Sequence, residues 1–455
     1  MLRKNHLIDA TQGSIIGKIF LYTYPLMLSM LVQTLFNAVD IIVLGNFADN
    51  NAVASVGATT TIVHLVVHTF VGLASGTKII LARQYGARDG DAIRKMTDTS
   101  LISSVIIGAL VAAAGIIFAP DFLHLTKCPT ECFDGAVIYI RIYAASAPAI
   151  MLYNFGSSVL NASGDTQRPL YYIIAGGVLN AVLNIILCII LPQKVIAVAV
   201  ATVASQVLGA LLVTLRLTRM DTYGKLSLRQ MCFSGKSLAQ MLRFGLPLAL
   251  NNALYPFANL QIQSAINLYG VAATAGNSAA ATMEGIASSF VQPFGATAAT
   301  FASQNLGAGK SDRARKSIFH CLWMGITVGA LVGVLGYLAA GHLLLPLILG
   351  ADEVAISFGV IRMFWVNAFY FIVAINSVLG GAVQSHGYSF TTAVNSIVGV
   401  LLFRYAWMWW VYPLYETFDC LMACFTVSWT IVMVFNIIWF IFVLMKHHRP
   451  SRAVA

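Results

Sequence analysis

The chain has 455 residues, of which 58% are hydrophobic and only 10% are charged, with a mean hydropathy of +0.80. A soluble domain carries roughly 25% charged residues, so this composition excludes one and requires an integral membrane protein. The net charge of +10 is not a nucleic-acid footprint, because its placement follows membrane topology.

About twelve apolar stretches are long enough to span, near 15–44, 52–80, 97–119, 136–160, 169–191, 195–217, 238–268, 272–299, 317–341, 356–382, 388–411 and 418–445. Strand-like alternation is absent, and lipid leaves the backbone only helices as the other choice. The predicted fold is therefore all-α, with 12 transmembrane helices.

Helix 1 contains NAVDIIVLG (37–45), with a carboxylate, Asp40, in an apolar run. Gln33, Asn37 and Asp40 follow an i, i+4, i+7 pattern, which is one helical face. An ionised group in lipid is costly, so this stripe should line a cavity. Pro25, two turns earlier, is a predicted hinge. Helix 2 carries His64 and His68. Helix 5 carries Asn180 and Asn184, and helix 6 carries Thr202 and Gln206, each pair at i, i+4. These neutral oxygens would complete a cation or proton site around Asp40; interhelical hydrogen bonding worth about 1 kcal/mol is the plainer alternative. Helix 7 repeats the stripe with Asn252, Tyr255, Asn259 and Gln263 but has no acid, and helix 8 carries Met283 and Glu284. The expected substrate cavity comprises Gln33, Asn37, His64, Asn252, Tyr255, Asn259, Met283 and Glu284. Arg141 and Arg362 lie near predicted outer helix ends and are expected to snorkel, whereas Arg404 lies deeper.

Arg83, Arg88, Arg94, Lys95, Arg168, the stretch from Arg216 to Arg243, Lys310, Arg313, Arg315, Lys316 and the tail all fall on one side of the membrane if the spans are right. This positive-inside bias makes both termini cytoplasmic. No cleavable signal peptide is visible. Cys128/Cys132 and Cys420/Cys424 pair at i, i+4, but no further His or Cys completes a metal set, so no metal is expected.

The chain also repeats itself. Tyr24-Pro25-Leu26 aligns with Leu246-Pro247-Leu248, ARQYGARDGDAIRK (82–95) with ASQNLGAGKSDRARK (302–316), Arg141 with Arg362, and Gly164 with Gly387, at a near-constant offset of roughly 220 residues. His64 then aligns with Glu284. Six helices per half make the repeat parallel, which places binding sites near the midplane and implies rocking of two lobes. The expected organisation is an N-lobe (1–218, helices 1–6), a cytoplasmic linker (219–237), a C-lobe (238–446, helices 7–12) and a cytoplasmic tail (447–455). This layout also suits major-facilitator transporters. No G-x-x-x-x-G-K-[ST], HExxH, GxSxG or TVGYG pattern occurs, so neither ATP use, hydrolysis nor a potassium filter is indicated.

Over nearly its whole length the chain resembles the multidrug and toxic compound extrusion (MATE) transporters. The resemblance rests on QTLFNAVDIIVLG (33–45), SGTKIILARQYGARDGDAIRK (75–95), YIRIYAASAPAIMLYNFGSSVLNASGDTQRP (139–169), NAVLN (180–184), VAVATVASQ (198–206) and FASQNLGAGKSDRARK (301–316). The major-facilitator run G-x-x-x-D-R-x-G-R-R is missing after helix 2. The resemblance implies a plasma-membrane antiporter, not an enzyme, that exports cationic or lipophilic compounds in exchange for H⁺ or Na⁺, without a cofactor and as a monomer. It also implies a coupling site at Asp40, Asn180, Asn184 and Thr202. The family's helix 5 motif usually ends in Asp, so Asn184 leaves one carboxylate there and should weaken Na⁺ binding. A flippase for a lipid-linked saccharide precursor is the alternative; twelve helices and few intramembrane arginines argue against it.

Overall fold

A computed structural model describes residues 7–47, 50–126, 128–227 and 229–447, without the side chains of 37–42, 44, 46, 47, 50, 255, 260 and 447. The side chains of Asn37, Asp40 and Tyr255 thus lie outside the described residues. No strand occurs among the described residues. The helices are α1 (Ile15–Phe47), α2 (Asn50–Ala87), α3 (Gly90–Ile117), α4 (Ala119–Leu125), α5 (Phe133–Ala145), α6 (Ala147–Ala162), α7 (Gln167–Ile190), α8 (Lys194–Thr218), α9 (Gly235–Leu268), α10 (Val271–Gly307), α11 (Ser311–Ala339), α12 (Pro346–Leu349), α13 (Glu353–Arg362), α14 (Tyr370–Ser385), α15 (Ser389–Ser396), α16 (Phe403–Ala406), α17 (Tyr412–Tyr415) and α18 (Phe418–His447).

Among the described residues, nine helices are long and apolar enough to cross a membrane, or ten if the pair α5–α6, bent by 45°, counts as one. The chain is a multi-pass membrane protein. The long helices α9 and α10, of 34 and 37 residues, are not among the nine, because both carry many Asn, Gln, Ser and Thr.

The repeat is visible in the backbone. Gly164 and Gly387, matched by sequence, both adopt left-handed φ, at +94° and +99°. A side chain there would clash with the backbone, so glycine ends the helix in each half. The turn before α3 places Arg88 at φ 56°, where the second half has Gly309 at φ 72°.

The chain forms two compact units. Unit 1 holds Met1–Asp9 and Leu28–Ala249; unit 2 holds Ala10–Met27 and Leu250–Ala455. The seams therefore fall inside α1 and α9, each two residues past a proline, Pro25 or Pro247. In unit 1, Gly72 and Gly76 bring α2 against Ala249 and Gly245 of α9. In unit 2, Thr23 of α1 hydrogen-bonds Thr297 of α10 at 2.8 Å, and Tyr22 donates to Thr300 at 3.3 Å.

The repeated basic motif holds these half-helices by their lead-in segments. In unit 1, Arg94 donates to the Gln230 carbonyl at 2.9 Å, and Asp98 and Thr99 accept from the Cys232 and Ser234 amides at 3.2 and 3.0 Å. In unit 2, Gln304 accepts from the Ala10 amide at 3.0 Å, and Lys310 donates to the Thr11 carbonyl at 2.9 Å. Arg313 alone donates to the carbonyls of Ala10, Gln12 and Gly13, at 2.9, 2.8 and 2.8 Å. Charge-assisted bonds of this kind contribute about 1.5–3 kcal/mol each when well made. Arg313→Ala is expected to raise the rate of proteolytic cleavage around residues 10–13 of the purified full chain by roughly tenfold or more. Unchanged cleavage would mean that the segment is held by its other contacts.

Candidate functional site

In unit 1, α7 and α8 pack side by side and join a line of neutral polar groups. Asn184 donates to Asn180 at 3.1 Å, and Asn180 donates to Thr202 at 3.4 Å, a long contact. The Thr202 hydroxyl turns back to the Val198 carbonyl at 2.9 Å. Asn184 is fully buried and Asn180 nearly so. The i, i+4 spacing read from sequence thus places two amides on the face that meets α8. Phe36 of α1 fills the space beside Gly177 of α7, so the C-terminal half of α1 lies against the helix that carries both amides. Gln33 is exposed. His64 and His68 are exposed too, with ring centroids 5.9 Å apart. Pro25 is buried inside α1.

Unit 2 contains a cluster built on two buried arginines. Arg362 ends α13, and the next residues, Met363–Asn367, form a π turn in which the Ala368 amide reaches back to the Met363 carbonyl at 3.1 Å. Arg404 lies in α16, between π stretches at Ile397–Leu402 and Trp407–Val411. A π turn holds an extra residue and so rotates the following side chains by about 100° relative to an α-helix. Arg362 is 6% exposed and Arg404 only 1%.

Arg362 donates through Nη2 to Glu284 at 2.6 Å and through Nη1 to Asn277 at 2.5 Å. Asn277 donates to Gln263 at 3.1 Å, and Gln263 to Asn267 at 2.9 Å. Arg404 donates through Nη1 to Asn259 at 2.5 Å and through Nε to Ser428 at 3.1 Å. Both guanidinium carbons sit over the Phe425 ring, 4.4 Å from its centroid for Arg404 and 5.1 Å for Arg362. Of the polar stripe of α9, Asn259 and Gln263 are therefore engaged by side chains of unit 2 itself.

This geometry corrects one expectation. Arg362 does not snorkel: the Glu284 carboxylate and the Asn277 amide draw it inward, and burial on both sides keeps it there. Arg404, left without a role by the sequence, is the centre of the cluster. Asn277, Phe425 and Ser428 were missed. Asn277 carried a signal, since it stands seven residues before Glu284 on the same helical face. Asn252 is half-buried on α9, and Met283 packs against Ala279, Ala280, Ala340, Leu345 and Met363. Cys128 and Cys132 are thiols with sulfurs 3.7 Å apart.

The MatE family model matches the chain twice, over residues 25–186 and 247–410. The matches begin at Pro25 and Pro247, the repeat-matched prolines. The chain is 27% identical over 343 residues to the "Probable multidrug resistance protein YoeA" of Bacillus subtilis (strain 168), covering 73% of each chain. It is 25% identical over 407 residues to the "Probable multidrug resistance protein YpnP" of the same organism, covering 87% of this chain and 88% of that one. Its fold is similar to that of a crystal structure of MATE in complex with MaL6, with a TM-score of 0.88 at 21% identity, over 97% of this chain and 98% of the other.

Proposed function

Since the chain belongs to the MatE family of membrane transporters, which are not enzymes, we propose that it is a secondary active multidrug efflux antiporter of the plasma membrane. It exports cationic or lipophilic compounds in exchange for H⁺ or Na⁺ by alternating access, as a monomer with both termini in the cytoplasm. No cofactor takes part; the gradient supplies the energy. The two relatives named as multidrug resistance proteins support the substrate class.

The observation that carries the coupling reading is the hydrogen-bonded line Asn184–Asn180–Thr202 in unit 1, buried at both asparagines. Its members are neutral oxygens and amides, suited to share a cation or a proton with one carboxylate. Asp40 supplies that carboxylate in this proposal. Phe36, four residues before Asp40, sits beside Gly177, three residues before Asn180, so the two positions lie at similar depth in helices of the same predicted direction. Deprotonated, Asp40 holds a cation in the N-lobe; protonated, it releases it. Pro25 gives α1 a place to bend between these states. Gln33, Asn37 and His64, with Asn252, Tyr255, Asn259, Met283 and Glu284, form the proposed substrate-facing set.

Asn184 offers a direct test of ion choice. A hard cation prefers more carboxylate oxygens, so Asn184→Asp is expected to strengthen Na⁺ dependence. In proteoliposomes with an imposed Na⁺ gradient, ethidium efflux by this variant should exceed that of the wild type. Sodium-independent efflux equal to the wild type's would remove Asn184 from the coupling site.

A further inference from the structure

We infer that Cys128 and Cys132, in the turn between α4 and α5, form a reversible thiol–disulfide site, entered through Cys128, whose oxidation stiffens the lead into α5. The site lies within unit 1, takes no part in the transport reading above and does not rest on it.

The local chain explains the pair. Pro129 holds φ at −59° and opens a 3₁₀ turn over Thr130–Cys132. That turn brings Cys132 back to the Pro129 carbonyl, which accepts from the Cys132 amide at 3.3 Å. The Cys132 and Cys128 thiols lean on the same carbonyl, at 3.5 and 3.7 Å. One acceptor therefore gathers both sulfurs, and they meet at 3.7 Å. A disulfide needs about 2.05 Å. The remaining shift of about 1.7 Å is smaller than the one a single rotamer change gives a sulfur. Bridging strands no polar group, because the Pro129 carbonyl keeps the Cys132 amide.

The two thiols differ in access. Cys128 is half-buried, whereas Cys132 is 4% exposed. A small disulfide from solution therefore meets Cys128 first. The Cys128 thiol loses its proton and its sulfur bonds to one sulfur of the small disulfide. The other half leaves as a thiolate and takes up a proton. Cys132 then attacks the Cys128 sulfur, and the second small thiol leaves with the Cys132 proton. The protein pair is oxidised by two electrons, and one small disulfide is reduced to two thiols. In the orientation proposed above, this turn faces the outside of the cell, where disulfides form and persist.

The bridge fastens three helices. The Cys128 amide donates to the Leu123 carbonyl of α4 at 3.0 Å, and Ser55 of α2 donates to the Cys132 carbonyl at 3.1 Å. Gly135, in the first turn of α5, lies so close to Ser55 that a side chain there would overlap its hydroxyl. A bond between the two cysteines closes this path from α4 to α2 across the entry of α5, next to the apolar contacts of Leu123, Ala136, Val137 and Ile140.

In the test, the reduced full chain in detergent is incubated with oxidised glutathione, quenched with N-ethylmaleimide, then denatured and mapped by mass spectrometry. The wild-type peptide spanning Cys128 and Cys132 should carry no maleimide and lack both thiol hydrogens. Dithiothreitol should restore both maleimide adducts. Cys132→Ser should stop at a glutathione adduct on Cys128. Cys128→Ser should react about tenfold more slowly, because only the buried thiol remains in the turn. Amide hydrogen exchange from α4 to the start of α5 should slow by about threefold or more in the bridged form. Wild-type protein that keeps both thiols, or ends as a stable glutathione adduct, overturns the proposal. So does a bridge that leaves exchange unchanged, or a Cys128→Ser variant that reacts as fast as the wild type. If neither serine variant folds, the wild-type mapping and exchange decide alone. No efflux is measured, so failure of the antiporter reading leaves this result standing.

Discussion

Asp40→Asn is expected to reduce gradient-driven efflux to the level of protein-free liposomes, while the purified protein keeps the wild-type melting temperature. The substitution preserves shape and removes only the ability to gain and lose a charge. A carboxylate in an apolar helix costs stability and is kept where its charge does something, so its removal should not destabilise the fold. The proposed coupling set otherwise contains only Asn180, Asn184 and Thr202, none of which titrates in the physiological range. If exchange depends on a group that changes charge, nothing else in that set can substitute. The measurement is ethidium efflux from proteoliposomes under an imposed pH gradient and, separately, a Na⁺ gradient. Near-normal efflux under either gradient would sink the assignment. A large fall in melting temperature with efflux lost would instead point to a structural role.

Arg362→Ala is expected to be the most destabilising single change in unit 2. It leaves Glu284 beside an emptied, largely buried site, removes the partner of Asn277, and takes a cation from the Phe425 face. Breaking a buried ion pair on one side costs about 3–5 kcal/mol, mostly because the abandoned charge stays desolvated. Glu284 is 23% exposed on its side chain and recovers part of its hydration, which puts the loss toward the lower end of that range. The double variant Arg362→Met with Glu284→Gln removes both charges and should recover most of the lost stability. Thermal melting of the extracted protein gives the comparison. A double variant no more stable than Arg362→Ala would show that packing, and not the stranded carboxylate, sets the cost.

Sequence made some of this legible and hid the rest for physical reasons. Helical spacing put Asn180 and Asn184 on one face, and the structure joins them to each other and to Thr202, because the i, i+4 relation is a local property of the helix. The repeat was legible because it is periodic, and Gly164 and Gly387 share an unusual backbone conformation that few other residues adopt. Arg362 was misread because position along a helix gives depth but not direction, and the π turn after it changes direction without leaving a sequence pattern. Arg404 was noticed yet unexplained, since its partners Asn259, Ser428 and Phe425 come from distant parts of the chain. The spans 238–268 and 272–299 were read as apolar stretches, and the polar residues of α9 and α10 are what lower their mean hydropathy.

The basic motif in each half grips the lead-in of a first helix, but not that of its own half. Arg94 and Asp98, in the first repeat, hold the chain entering α9; Gln304, Lys310 and Arg313, in the second, hold the chain entering α1. The two repeats have therefore traded their opening segments, as the arms of a domain-swapped dimer do, though here within one continuous chain. Each compact unit is thus completed by a half-helix from the other repeat's stretch of chain. Cutting the chain between the two repeats would therefore part each of them from the opening segment that it grips.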